Sequence, residues 1–154
     1  MSACGDERPD EARSGGPDGE VYDWFRRGRA LHDDGHPAAA AQLLARAVEA
    51  EPSARSLREA LARAQFDARW YDAARASFAV IVEADPGDHY ALFGLGLSES
   101  RLGRQEAAVE HLALAAAMRP DVAHYQAALR QARATVRARR RATGPGGQSR
   151  QSRA

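Results

Sequence analysis

The chain has 154 residues, one domain's worth, with 44% apolar residues but only 6% aromatics, so closely packed small-residue helices must build much of its core. Its net charge of +1 conceals an uneven spread: residues 1–20 carry six acids against two arginines (−4), residues 21–122 carry 15 against 12 (−3), and residues 123–154 carry eight arginines and no acid (+8). The single cysteine, Cys4, excludes an intramolecular disulfide, and the longest apolar runs, Phe78–Val82 and Leu112–Met118, are far shorter than the ~20 residues that span a bilayer.

All 22 basic residues are arginine, and lysine and asparagine are absent. That is a compositional bias, so no arginine can be read as chosen over lysine. Ser2-Ala3-Cys4-Gly5 has the look of a lipoprotein cleavage site, yet no apolar segment precedes it, so no signal peptide is expected and the chain reads as a soluble cytoplasmic protein.

Residues 1–19 are rich in Gly, Pro, Asp and Glu and predict a disordered acidic tail. A first helix is predicted over 20–33, broken by Gly35-His36-Pro37, and Pro37 suits the first turn of the next. That second helix ends near Glu51-Pro52, because the residue before proline is pushed out of the α region. Ser53 is placed to cap a third helix over 54–68, and a fourth runs over 71–84 to Pro86. Asp88 caps a fifth over 89–102, Gly103 ends it, and a sixth stops before Pro120. Asp121 is placed to cap a seventh over 122–142, and residues 143–154 predict a loose basic tail.

These elements repeat. Pro52, Pro86 and Pro120 stand 34 residues apart, and in the same register come Gly28, Ala62 and Gly96, then Ala40, Ala74 and Ala108, then Leu44, Phe78 and Leu112. A fixed period of this length marks a repeat array in which small residues let paired helices approach and stacked pairs share a core. In this pattern the chain resembles the tetratricopeptide repeat family, over roughly residues 21–122 plus a following helix. The resemblance implies an all-α, right-handed superhelical solenoid of antiparallel helix pairs, with repeats at 21–54, 55–88 and 89–122 and a capping helix over 122–142. Tyr125, Leu129, Ala132 and Val136 give that last helix one apolar stripe. Trp24, Gly28 and Leu31 match the family's first-helix signature, whereas Arg58, Gln65 and Glu99 depart from it, the middle repeat most.

The resemblance also implies where binding occurs. First helices of the family line a concave surface, and the places facing it hold Tyr22, Phe25 and Arg29, then Ser56, Glu59, Arg63 and Phe66, then Tyr90, Phe93, Leu97 and Arg101. Aromatics supply apolar contact and arginine forks match carboxylates, so the expected ligand is a peptide with hydrophobic anchors and an acidic group, and the expected function is a protein-binding adaptor or assembly factor. Family members that grip acidic chaperone tails use Lys, Asn and Arg at set places. Two of those places hold Phe25 and Gly94, which argues against that subtype.

The alternative lies in Arg130, Arg133, Arg137, Arg139, Arg140 and Arg141, which could bind nucleic acid or an anionic surface, or pair with the acidic N-terminal tail. Cations at a helix C-terminus also favour its dipole without any partner. Homo-oligomerisation through incompletely covered ends of the stack is a third option. No catalytic, cofactor or metal site is nominated: the five histidines are scattered, and Gly35-His36-Pro37 breaks the helical spacing of His32 and His36.

Overall fold

Two kinds of turn alternate along the chain and set its architecture. The computed structural model describes residues 17–144, which form α1 (Pro17–Asp33), α2 (Pro37–Ala50), α3 (Arg55–Asp67), α4 (Tyr71–Ala84), α5 (His89–Arg101), α6 (Gln105–Met118) and α7 (Ala123–Thr143). Three residues join α1 to α2, α3 to α4 and α5 to α6; four join each pair to the next helix. Connections this short make consecutive helices antiparallel neighbours.

The three-residue turns share one geometry. Gly35, Arg69 and Gly103, 34 residues apart, take positive φ of 83°, 63° and 79°. Around each, the next residue's N–H reaches back to the helix, His36 to the Leu31 carbonyl, Trp70 to Gln65 and Arg104 to Glu99, at 2.8–2.9 Å. This is the Schellman closure that consumes orphan carbonyls at a helix C-terminus. In the four-residue turns, Pro52, Pro86 and Pro120 each follow a helix-ending residue and help fix the chain's reversal.

Each helix packs against the next in sequence, and α1, α3, α5 and α7 also meet one another in order. Three core clusters result, centred on Leu44, on Phe78 and on Leu112. Trading residues keeps the three alike. Leu44 and Leu112 lie over Gly28 and Gly96 of their own pair, where an added Cβ would stand 2.6 and 2.7 Å from the leucine Cγ. Phe78 instead belongs to a cluster with Ala62, and its ring lies over Gly94 of the following helix. The places of Gly94 in α3 and α7, the other first helices that follow a second helix, hold Ala60 and Ala128, both packed on leucine-centred clusters. A leucine goes with glycine on its own pair and alanine on the next; the phenylalanine goes with the reverse.

A polar version of the same trading fills the third repeat. The buried Glu99 carboxylate, 4% exposed, is 2.7 Å from His111 Nδ1, with Arg75 Nε 4.0 Å away. One repeat earlier the same places hold Gln65 and Ser77, whose hydroxyl donates to the amide oxygen at 2.7 Å.

Several boundaries differ from the sequence reading. α1 begins at Pro17, inside the segment expected to be disordered, since proline is well placed in a helix's first turn. α3 and α7 start at Arg55 and Ala123, so their N-cap positions fall to Ala54 and Val122, neither of which caps with a side chain. Ser53 and Asp121 are each one residue early for the register; Asp121 accepts from Arg119 instead. Asp88 does cap α5, accepting from the Ala91 N–H at 3.1 Å and from Arg55 at 2.5 Å. α7 runs to Thr143, and the expected disorder of residues 1–16 and 145–154 lies outside the described residues.

Candidate functional site

Arg63 and Phe66 of α3 and Tyr90, Phe93 and Leu97 of α5 line one pocket of about 240 Å³, with Asp67, Phe78 and Gly94. Five of the eleven residues expected to face the groove therefore meet in one place. Helical spacing explains it: Arg63 and Phe66, like Tyr90, Phe93 and Leu97, are three or four apart and share a face, and α3 and α5 lie side by side. The other six stand elsewhere, Ser56 exposed and Glu59 half-buried on α3 outside the pocket lining. Tyr22 is 60% exposed beneath the Arg26 guanidinium, 6.0 Å from its ring. Phe25 packs against the first core cluster, with Arg29 5.7 Å over its ring. Arg101 is exposed at the end of α5.

The pocket is apolar with one charged rim. Its floor is Phe78, whose ring meets Tyr90 edge to face at 6.3 Å. Gly94 leaves the room for that ring, since a Cβ there would come within 2.4–2.6 Å of three ring atoms. Phe93 faces two ways, into the pocket and onto α7, stacking on Tyr125 at 4.4 Å and meeting His124 edge to face at 5.2 Å. It is therefore partly committed to holding the last helix. Phe66 likewise leans on Tyr71, 5.3 Å away.

On the rim, the exposed Arg63 makes no ion pair within 4.0 Å among the described residues. Asp67 is held by His32 Nε2 at 2.5 Å, which ties α1 to the pocket's edge. Burial pushes the Tyr90 phenol above its ordinary range; Arg63 draws it back, while Glu59 and Asp67 raise it. Tyr90 is thus a neutral hydroxyl able to donate near a free guanidinium. Phe78 escaped the sequence reading of the groove because attention to first-helix faces misses a side chain reaching through from a second helix; Asp67, at the end of α3, was not among the expected places, and Gly94 entered only as a place without a clamp side chain. The trade at positions 78 and 94 was the available signal.

The arginines of the C-terminal helix divide. Arg139 donates to the Gly103 carbonyl at 2.8 Å and pins α7 across the last three-residue turn. Arg137 and Arg140 line a separate groove between α6 and α7 with Arg133, and Arg141 is exposed. Among the described residues no three His, Cys, Asp or Glu side chains cluster as metal ligands would, and no helix is long and apolar enough to cross a membrane.

Helix pairs repeating every 34 residues, closed by one turn geometry and stacked in register, define an all-α helical-repeat solenoid. The tetratricopeptide repeat family model matches residues 25–89 and 71–123, and the chain belongs to that family, whose domains are protein-interaction modules. No curated protein matches the sequence. Among solved structures it is similar to MamA (residue 41 onward) from Desulfovibrio magneticus RS-1, with 19% identity, TM-score 0.72, and 75% of this chain and 65% of that one covered. It is also similar to the first repeat domain of Spaghetti (RPAP3) bound to the HSP90 peptide SRMEEVD, at 16% identity, 77% and 94% coverage and TM-score 0.71. The second such domain of human RPAP3, in complex with the HSP70 peptide SGPTIEEVD, gives 18%, 77% and 98%, and 0.70. At these identities the likeness is one of fold.

Proposed function

We propose that the protein is a non-catalytic adaptor that holds a short segment of a partner protein in the pocket between α3 and α5. The observation carrying this is an exposed guanidinium, Arg63, without an ion-pair partner among the described residues, on the rim of an apolar pocket floored by Phe78. Such a site suits a segment with one aromatic or branched aliphatic anchor followed closely by a carboxylate, which Arg63 would grip bidentately while Tyr90 donates beside it.

The chaperone-tail subtype fits less well. Spaghetti and human RPAP3 are seen with HSP90 and HSP70 peptides. Here one of the places used for such tails is Gly94, and its space is filled by the Phe78 ring, so no donor side chain can project there. A fold that needs no disulfide suits the reducing cytoplasm, where we place the protein.

Selection of displayed random peptides against the wild-type chain tests this reading, followed by titration of the enriched peptides against Arg63→Glu. Enriched sequences should pair an apolar anchor with Asp or Glu, and charge reversal should weaken them at least tenfold. Peptides lacking an acid, or binding equally to Arg63→Glu, would remove the reading.

A further inference from the structure

Among the described residues the arginines of α7 form no ion pair. Arg133, Arg137 and Arg140, three and four residues apart, stand on one side of α7 and line a groove of about 390 Å³ against Glu106, Val109 and Glu110 of α6. Among the described residues neither glutamate and none of these arginines forms an ion pair within 4.0 Å. The same side of α7 carries Arg130, which falls in the register of Gly28, Ala62 and Gly96. In each repeat that place must be small for the second helix to close in. An arginine there keeps a further helix of the same kind from packing, so the groove is open to a different occupant.

The groove offers both signs of charge. A uniform polyanion such as nucleic acid would gain three guanidiniums but meet two carboxylates directly. A segment with clustered acids and interspersed arginines satisfies both. The sequence holds such a segment, Asp6-Glu7-Arg8-Pro9-Asp10-Glu11-Ala12-Arg13, with four acids and two arginines. We infer that this N-terminal segment docks in the α6–α7 groove of a second copy, its acids on Arg133, Arg137 and Arg140 and its arginines toward Glu106 and Glu110, so that the protein self-associates through complementary charge.

Reach keeps the whole acidic segment from docking in the groove of its own chain. α1 and α7 are three helix-to-helix steps apart, roughly 27 Å at about 9 Å each. Arg133 lies a further ~15 Å along α7 from its start at Ala123. Glu11 is six residues before Pro17, and six residues fully stretched span only about 21 Å; Asp6 and Glu7, eleven and ten residues out, approach Arg133 of the same chain only when stretched to about 33–40 Å. Seating all four acids on the groove at once therefore takes the segment of another molecule.

Sedimentation equilibrium of the full chain tests this. At about 0.05 M NaCl the weight-average mass should be at least twice 16.6 kDa, and it should fall to the monomer value by about 0.5 M as screening shortens the reach of the charges. A groove variant (Arg133→Glu, Arg137→Glu, Arg140→Glu) and a tail variant (Asp6→Arg, Glu7→Arg, Asp10→Arg, Glu11→Arg) should each be monomeric at low salt with unchanged helical circular dichroism. Their equimolar mixture should associate again, because each reversed partner matches the other. Monomeric wild type at low salt, association of either variant alone, or a mixture that stays monomeric would overturn the proposal. So would a monomeric wild type that binds a short DNA duplex and loses it in the groove variant, which would assign the arginines to polyanions instead.

Discussion

Gly94→Ala is the substitution on which the traded core makes its sharpest demand. On an ordinary helix alanine is worth about 1 kcal/mol more than glycine, so propensity alone predicts stabilisation. Here the new Cβ would lie 2.4, 2.5 and 2.6 Å from Phe78 Cζ, Cε1 and Cε2, about 1 Å inside normal contact. The ring cannot swing freely, being 3% exposed and bounded by Ala62 and Tyr90. Overpacking of this kind costs about 1–3 kcal/mol, leaving a net loss of about 1 and at most about 2 kcal/mol. Urea unfolding followed by circular dichroism should show the midpoint falling by roughly 0.5–1 M. Phe78→Leu alone also destabilises, by about 1–2 kcal/mol, through the space it leaves. The two together recreate the leucine-over-alanine arrangement seen at Leu44 with Ala60, so the losses should not add and the coupling should reach about 1–2 kcal/mol. Additive losses, or a stabilised single Gly94→Ala variant, would refute the reciprocity between positions 78 and 94.

The remaining predictions concern turns and buried charge. Arg69→Gly should raise the thermal midpoint by about 2–4 °C, since Arg69 holds a φ of 63° where its repeat equivalents are glycines; an unchanged midpoint would mean the turn carries no strain. His111→Leu leaves the buried Glu99 carboxylate only the Arg75 guanidinium 4.0 Å away and should cost about 3 kcal/mol, while Glu99→Leu with His111→Leu, matching Leu31 and Leu43 of the first repeat, should recover most of it in thermal melts. The hydrogen bond from Arg119 holds the exposed Asp121 carboxyl at about 2, against 3.8 ordinarily, so its stabilisation is complete above pH 3.8 and vanishes as pH falls through about 2. Melting across that window should show the gap between wild type and Asp121→Asn closing toward pH 2; a constant gap would exclude the linkage.

Periodicity made the fold legible because each 34-residue step repeats a steric requirement rather than a preference. A positive φ at Gly35 and Gly103, a proline at 52, 86 and 120, and a small residue at 28, 62 and 96 are all backbone or contact constraints that leave one-letter traces, whereas Arg69 holds the same φ without one. Caps were less legible. Ser53 and Asp121 are good capping residue types one position away from the true N-caps, and only the register with Asp88 reveals the offset. The pocket was half legible. Face assignment on α3 and α5 brought Arg63, Phe66, Tyr90, Phe93 and Leu97 together, but the same rule applied to α1 and to the end of α5 did not gather Tyr22, Phe25, Arg29 or Arg101. Lateral contact between first helices is confined to immediate neighbours, so a face shared in sequence register need not be one site.

Where the array stops also follows from residues at repeat-equivalent places. The face of a first helix that meets the preceding helix holds Leu57, Leu61 and Ala64 in α3, Ala91, Leu95 and Ser98 in α5, and Tyr125, Leu129 and Ala132 in α7, all buried. In α1 the same places hold Asp23, Arg27 and Ala30, all exposed. At the other end, the face that would meet a following helix holds Gln126, Arg130 and Arg133, where α1 has Trp24, Gly28 and Leu31. Charged or bulky polar groups at both ends make adding another repeat unfavourable, because burying them unpaired would cost more than the apolar contact returns. Between those limits the pocket spans one step between first helices, roughly 9 Å, which is about three residues of an extended peptide. A partner is therefore recognised by a motif of two or three side chains, and a single such contact is weak. The prediction is a monovalent affinity in the micromolar range for the peptides selected on Arg63, measured by titration calorimetry. Nanomolar binding by an isolated short peptide would mean that the site extends beyond α3 and α5.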